Sequence, residues 1–247
     1  MTVGAIVVIA LSIVFTSFLS GVFGMAGGMI LLGVLLLFLD VIPAMVLFSA
    51  IQLVSNGWRV LLWRRYIRWR IFFLYVVGAA VAFTIMRWIA FVPDKAAVYL
   101  ALGALPFLLY LLPGNLAPNI EWRGVPLITG LLTTVVQLLV GVGGLFLDIF
   151  FQKSALDRKT TVATKAVTQT FGHLLRGLYF GSFLNFPEVL PVVAYGPSIL
   201  LAILGASLAP LVLERMTDAS FRIWTRRVVF AVATVYLLRG GWLFLHA

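Results

Sequence analysis

Eight long apolar runs dominate the chain, at about 3–23, 42–63, 71–91, 95–112, 124–142, 160–181, 188–212 and 221–245. Each is about as long as the roughly 20 residues a helix needs to cross a hydrocarbon core. Most of the breaks between them carry Pro, Gly or charge: Pro43, Arg64 to Arg70, Pro93-Asp94, Pro113-Gly114, Pro187-Glu188 and Asp218. With 63% of 247 residues apolar and 11% charged, the chain is far from the half-apolar, quarter-charged balance of a soluble domain. Disorder needs the opposite composition. The fold class is therefore an all-α polytopic membrane protein. Val3 to Phe23 has no Lys or Arg ahead of it, so it is read as a retained helix, not a cleaved leader.

The net charge of +10 does not point to nucleic acid, because the 18 Lys and Arg are scattered among apolar runs and make no continuous basic face. The absence of cysteine excludes disulfides, Cys-ligated zinc and iron–sulfur clusters. No cofactor is expected.

Two shorter apolar pieces, Met29 to Leu39 and Leu145 to Gln152, each follow a glycine cluster, Gly24-Met25-Ala26-Gly27-Gly28 and Gly141-Val142-Gly143-Gly144. Short, Gly-interrupted segments at corresponding places in two halves are the mark of a transporter built from repeats. Gly27-Gly28 aligns with Gly143-Gly144 at an offset of 116, and an offset of 117 aligns Gln52 with Gln169, Asn56 with His173 and Arg59 with Arg176. If the short pieces do not return across the membrane, the halves are parallel and the basic residues divide 8 inside to 10 outside. If they do return, the halves are inverted. Then only Arg87, Lys95, Arg176 and Arg239 of the 18 lie outside, as the positive-inside rule asks. The expectation is two inverted repeats of about five segments each, four long helices and one short one, over 1–112 and 124–247. A cytoplasmic linker at 113–123 joins them, and both termini lie outside.

Polar side chains in a membrane helix are costly and usually face a cavity or a partner. Lys165, Gln169, His173 and Arg176 are spaced 4, 4 and 3; Gln52, Asn56 and Arg59 are spaced 4 and 3. Each set lies on one helical face. In the inverted arrangement this gives amides at the centre and a cation toward each mouth, a site for a small anion. Gly27, Gly28, Gly143 and Gly144 join it, since each pair opens a short helix whose N–H groups and dipole attract anions. Plainer roles stand beside these. Gln and Asn also serve as interhelical hydrogen bonds, glycines as packing notches, and Arg59 as a snorkelling side chain. Asp148 and His173 are candidates for proton coupling, or for an ion pair of Asp148 with Lys165 or Lys153 and a hydrogen-bonded histidine. Trp63, Trp69 and Trp88 read as interfacial belt. No metalloprotease, nucleophile-elbow or phosphate-loop motif occurs, so the chain is not read as an enzyme.

The stretches Ser20-Gly21-Val22-Phe23-Gly24-Met25-Ala26-Gly27-Gly28 and Gly141-Val142-Gly143-Gly144, with Leu156-Asp157-Arg158-Lys159 and Ala163-Thr164-Lys165-Ala166, resemble the sulfite exporter TauE/SafE family of membrane permeases. The pattern departs from the common one in lacking a proline shortly after either Gly-Gly pair, where Gly33 and Ile149 stand. The resemblance implies secondary transport of sulfite, sulfoacetate or other organosulfonates across the bacterial inner membrane. Its partners would be the anion, coupled protons or other ions, and the lipid bilayer. An anion channel with the same pathway, and a lipid-modifying membrane enzyme using His173 and Asp148, are the alternatives.

Overall fold

A computed structural model describes residues 3–23, 26–111, 118–151, 153–183, 195–213, 215 and 218–246. Among them there is no strand. The helices are α1 Val3–Phe23, α2 Ala26–Phe38, α3 Val41–Trp63, α4 Trp69–Ile89, α5 Lys95–Leu111, α6 Val125–Val140, α7 Gly144–Phe151, α8 Arg158–Gly181, α9 Tyr195–Leu213 and α10 Asp218–Leu245. Gly24-Met25, Pro113-Gly114 and the first part of the expected linker, 113–117, Gln152, and the Pro187-Glu188 break with the start of the run at 188 lie outside the described residues.

Four spans, Gly4–Val22, Val41–Tyr66, Trp69–Ile89 and Ile223–Leu245, are long and apolar enough to cross a membrane. Of the other runs, 124–142 holds a shorter helix and 160–181 a more polar one. α6 stops at Val140 because Gly141 turns left-handed, with φ +88°, and its N–H closes the helix on the Gln137 carbonyl at 2.9 Å. α8 has the length, 24 residues, but carries the polar stripe that lowers its hydropathy.

α8 opens on a cap. The Asp157 carboxylate accepts from the Thr160 N–H at 3.0 Å and from its hydroxyl at 2.6 Å. These bonds hold the Asp157 carboxyl below its ordinary range. A carboxyl lowered on folding contributes stability above its unfolded value and loses it as pH falls through the folded one. Asp157→Ala is therefore expected to lower the melting temperature at pH 7 and to leave melting less sensitive to acid, read by a thermal scan between pH 3 and 7.

Helix pairing is regular. α3 packs on α8, α5 on α10, α1 on α9 and α4 on α6. α3 and α8 run antiparallel: Ser49 meets Arg176 at one end, and the Arg68 N–H just beyond α3 donates to Thr164 at the other. α5 and α10 do so too, since a Cβ on Gly103 would touch Leu237 while one on Gly240 would touch Leu100. Glycine notches close the remaining seams. Gly78 rides on the Leu127 carbonyl and Leu131 N–H of α6, and Gly205 rides in the same way on the Val14 carbonyl and Phe18 N–H of α1. Small residues let backbones approach where lipid supplies no hydrophobic drive. Large apolar side chains such as Leu11, Trp88 and Leu245 face outward. Inside, α2 is wrapped by the others, with Met29, Leu31, Leu32 and Leu35 fully buried.

Candidate functional site

The two short helices double back on their predecessors. Gly27 lies against the Thr16 carbonyl and Ser20 of α1; Gly143 lies against the Thr133 carbonyl and Gln137 of α6. In each case a side chain would collide with backbone or near-backbone atoms, so glycine is what allows the return. The reversal brings the first turns of α2 and α7 to one cavity, which lies between α3 and α8.

That cavity is lined by Gly28, Phe48, Gln52, Asn56, Gln137, Val142, Gly143, Gly144, Gln169 and His173. The residues are four amides, one imidazole, three glycines at helix starts and two apolar walls; none is an acid or a cation. Gln52, Asn56, Gln137 and His173 are all buried. The Asn56 side chain donates to the Gln52 carbonyl at 2.9 Å, one turn back on α3. Gln137 Nε2 lies 3.3 Å from His173 Nδ1, and the imidazole stands edge-on to Phe48 with centroids 6.0 Å apart. Gln52 Oε1 is buried without a hydrogen-bond partner among the described residues. A Cβ on Gly28 would stand 2.7 Å from Gln52 Nε2, so hydrogen alone leaves that amide its place.

Of the residues singled out from sequence, Gly28, Gln52, Asn56, Gly143, Gly144, Gln169 and His173 therefore share one cavity, whereas Gly27, Arg59, Lys165, Arg176 and Asp148 do not line it. The two aligned arginines do matching work elsewhere. Arg59 Nη2 donates to the Ser20 carbonyl at 2.9 Å, in the last turn of α1. Arg176 Nη1 donates to the Gly141 carbonyl at the end of α6, and its Nε donates to Ser49 Oγ at 2.8 Å. The last carbonyls of a helix lack intrahelical partners, and a cation there also meets the negative dipole end. Each arginine thus closes the long helix whose chain then turns back.

Arg176 is fully buried, its guanidinium carbon 4.1 Å above the Phe48 ring, and its Nη2 has no partner among the described residues. No acid is among its contacts in the described residues, so its charge is felt in the cavity through Phe48. Lys165 forms an ion pair with Asp148, tying α7 to α8.

Sequence reasoning missed Gln137, Phe48 and Val142. Phe48 and Val142 carry no signal apart from neighbouring apolar residues. Gln137 does: it is the sole amide in the run 124–142, and it stands 117 residues after Ser20, at the offset that aligns the α3 and α8 stripes.

No curated protein and no solved structure matches the chain. The sequence model of the family described as Sulfite exporter TauE/SafE does match, over residues 9–236, which takes in α2 to α9 whole, the greater part of α1 and α10, and all of the cavity. This multi-pass membrane protein belongs to the TauE/SafE sulfite exporter family of membrane permeases.

Proposed function

We propose that the chain is a secondary transporter of small sulfur-containing oxyanions, such as sulfite, sulfoacetate or other organosulfonates, working by alternating access. What carries this reading is the convergence of two helix starts, from α2 and α7, on one cavity of neutral donors without an acid. A helix N-terminus contributes about 0.3–1 kcal/mol toward an anion, more where water is excluded. The amides of Gln52, Asn56, Gln137 and Gln169 supply hydrogen bonds of fixed direction, and the buried Arg176 charge adds a favourable field.

Alternating access would come from two inverted repeats, 1–112 and 124–247, joined by the cytoplasmic segment 113–123. Support comes from the helix pairing. Under exchange of α1 with α6, α2 with α7, α3 with α8, α4 with α9 and α5 with α10, every principal pair maps onto itself or onto another principal pair. The self-paired helices are antiparallel, as repeats of opposite orientation require. The bias of Lys and Arg puts both termini outside in this arrangement, in a bacterial inner membrane.

The test is uptake of radiolabelled sulfite or methanesulfonate into liposomes. Labelled substrate should exchange against unlabelled substrate, and Gln52→Ala/Gln169→Ala should abolish uptake while leaving the melting temperature within a few degrees. Uptake without such exchange would mean a channel, and unimpaired uptake by the double variant would exclude this cavity. Gly28→Ala, whose methyl displaces the Gln52 amide without touching backbone, is expected to cut uptake about tenfold with little change in folding.

Coupling to protons is assigned in this reading to Asp148 or His173. Asp148→Asn should then abolish uptake driven by a pH gradient yet keep substrate exchange, if Asp148 carries the proton; His173→Gln should do so if the histidine does.

A further inference from the structure

His173 is the single titratable side chain lining the cavity, and which of its ring nitrogens carries the proton decides what it offers there. Gln137 approaches Nδ1 through its Nε2, at 3.3 Å. An amide nitrogen can only donate, so Nδ1 must accept, and the proton of the neutral ring stands on Nε2. The approach is built into the packing. A Cβ on Gly172 would stand 2.6 Å from Gln137 Oε1, so the amide reaches the ring only because its neighbour on α8 is glycine. The ring plane is set by Phe48, edge-on to it.

We infer that Gln137 is a positioning residue that fixes His173 as the Nε2–H tautomer, so that the histidine donates to an oxyanion in the cavity and cannot accept from one that brings a proton. This rests on the cavity being the anion site. At this residue the site then offers a donor to bare acceptor oxygens, as in a sulfonate or the sulfite dianion, and no lone pair for an O–H. A histidine of the other tautomer would present a lone pair there instead.

The chain has only two histidines, so His246→Gln leaves a protein whose one imidazole can be read directly. Nitrogen-15 solid-state spectra of that protein in lipid, labelled at histidine, should report Nε2 protonated and Nδ1 bare. Methanesulfonate should then shift the Nε2 resonance. Gln137→Glu, which turns the neighbouring donor into an acceptor of nearly the same shape, should move the proton to Nδ1 and raise the half-saturating methanesulfonate concentration about tenfold. Gln137→Met, which keeps the packing and removes both roles, should show the two tautomers mixed and an intermediate affinity. Wild-type protein protonated at Nδ1, or a Gln137→Glu spectrum unchanged from wild type, would overturn the inference. A spectrum with the proton on Nε2 that methanesulfonate leaves unmoved would instead overturn the cavity as the anion site.

Discussion

Arg176→Met is expected to remove about 3 kcal/mol of stability and all transport. The guanidinium is fully buried, and it satisfies the Gly141 carbonyl and the Ser49 hydroxyl while lying on Phe48. Methionine fills part of the volume but leaves two buried oxygens short of a donor, and hydrogen bonds from a charged donor are worth about 1.5–3 kcal/mol each in water-soluble proteins. In membranes the average is smaller, nearer 0.6 kcal/mol, because the unfolded segments also find partners. The larger figure holds here because the Gly141 carbonyl ends a helix and, among the described residues, Arg176 is the side chain of α8 that donates to it. Arg176→Lys should recover little: an ammonium offers no planar fork to serve Ser49 and Gly141 together. Thermal unfolding in detergent, followed by intrinsic tryptophan fluorescence, gives the stability change. A variant that melts with wild type would show that the α6 end needs no cation.

The second large effect is expected at the seams. Gly78→Leu and Gly205→Leu each force a side chain into the backbone of the facing helix, α6 in one case and α1 in the other. The helices must part along the whole seam, so a cost of about 3 kcal/mol or more is expected, at the upper end for overpacking. Both variants should fail to elute as a single species in size-exclusion chromatography. Gly78→Ala and Gly205→Ala, milder versions of the same insult, should lower stability by amounts equal to within about 0.5 kcal/mol, since the two notches are built alike. A large difference between them would count against equivalent halves.

Much of the helix layout was legible because membrane helices announce themselves by long apolar runs, and the ends follow residues with local chemistry of their own. Arg64 follows the end of α3, Pro93-Asp94 precedes α5 and Asp218 opens α10. The lengths were less legible. The run 124–142 reads as one span of full length, and the left-handed turn at Gly141 shortens it; apolar composition on both sides of a glycine hides such a break. For the cavity, periodicity put Gln52 and Asn56 on one face and Gln169 and His173 on another, and these four do line it. The same periodicity includes Lys165, Arg59 and Arg176, which do not. A shared helical face limits direction only to within a broad sector, and a long cationic side chain can turn from the cavity toward a carbonyl or carboxylate. Residue spacing cannot say which acceptor lies within reach. Gln137 escaped because it stands alone in its helix, with no periodic partner to mark it.

The two short helices, each opening at a Gly-Gly pair, are held by unequal means. Tyr99 donates to the Gly33 carbonyl at 3.1 Å and Tyr236 to the Met29 carbonyl, so α2 is gripped at two points along its backbone from α5 and α10. α7, with 8 residues against 13, is fastened through the Lys165–Asp148 pair and an Ile120 N–H on the Phe150 carbonyl at 2.9 Å. The two short helices therefore differ in compliance. One arm is a stator clamped through its own main chain; the other is a shorter element moored at its side chain and far end. In deuterium exchange the amides of α7 should open well ahead of those of α2, and under the alternating access proposed above those two tyrosines would set the direction of give.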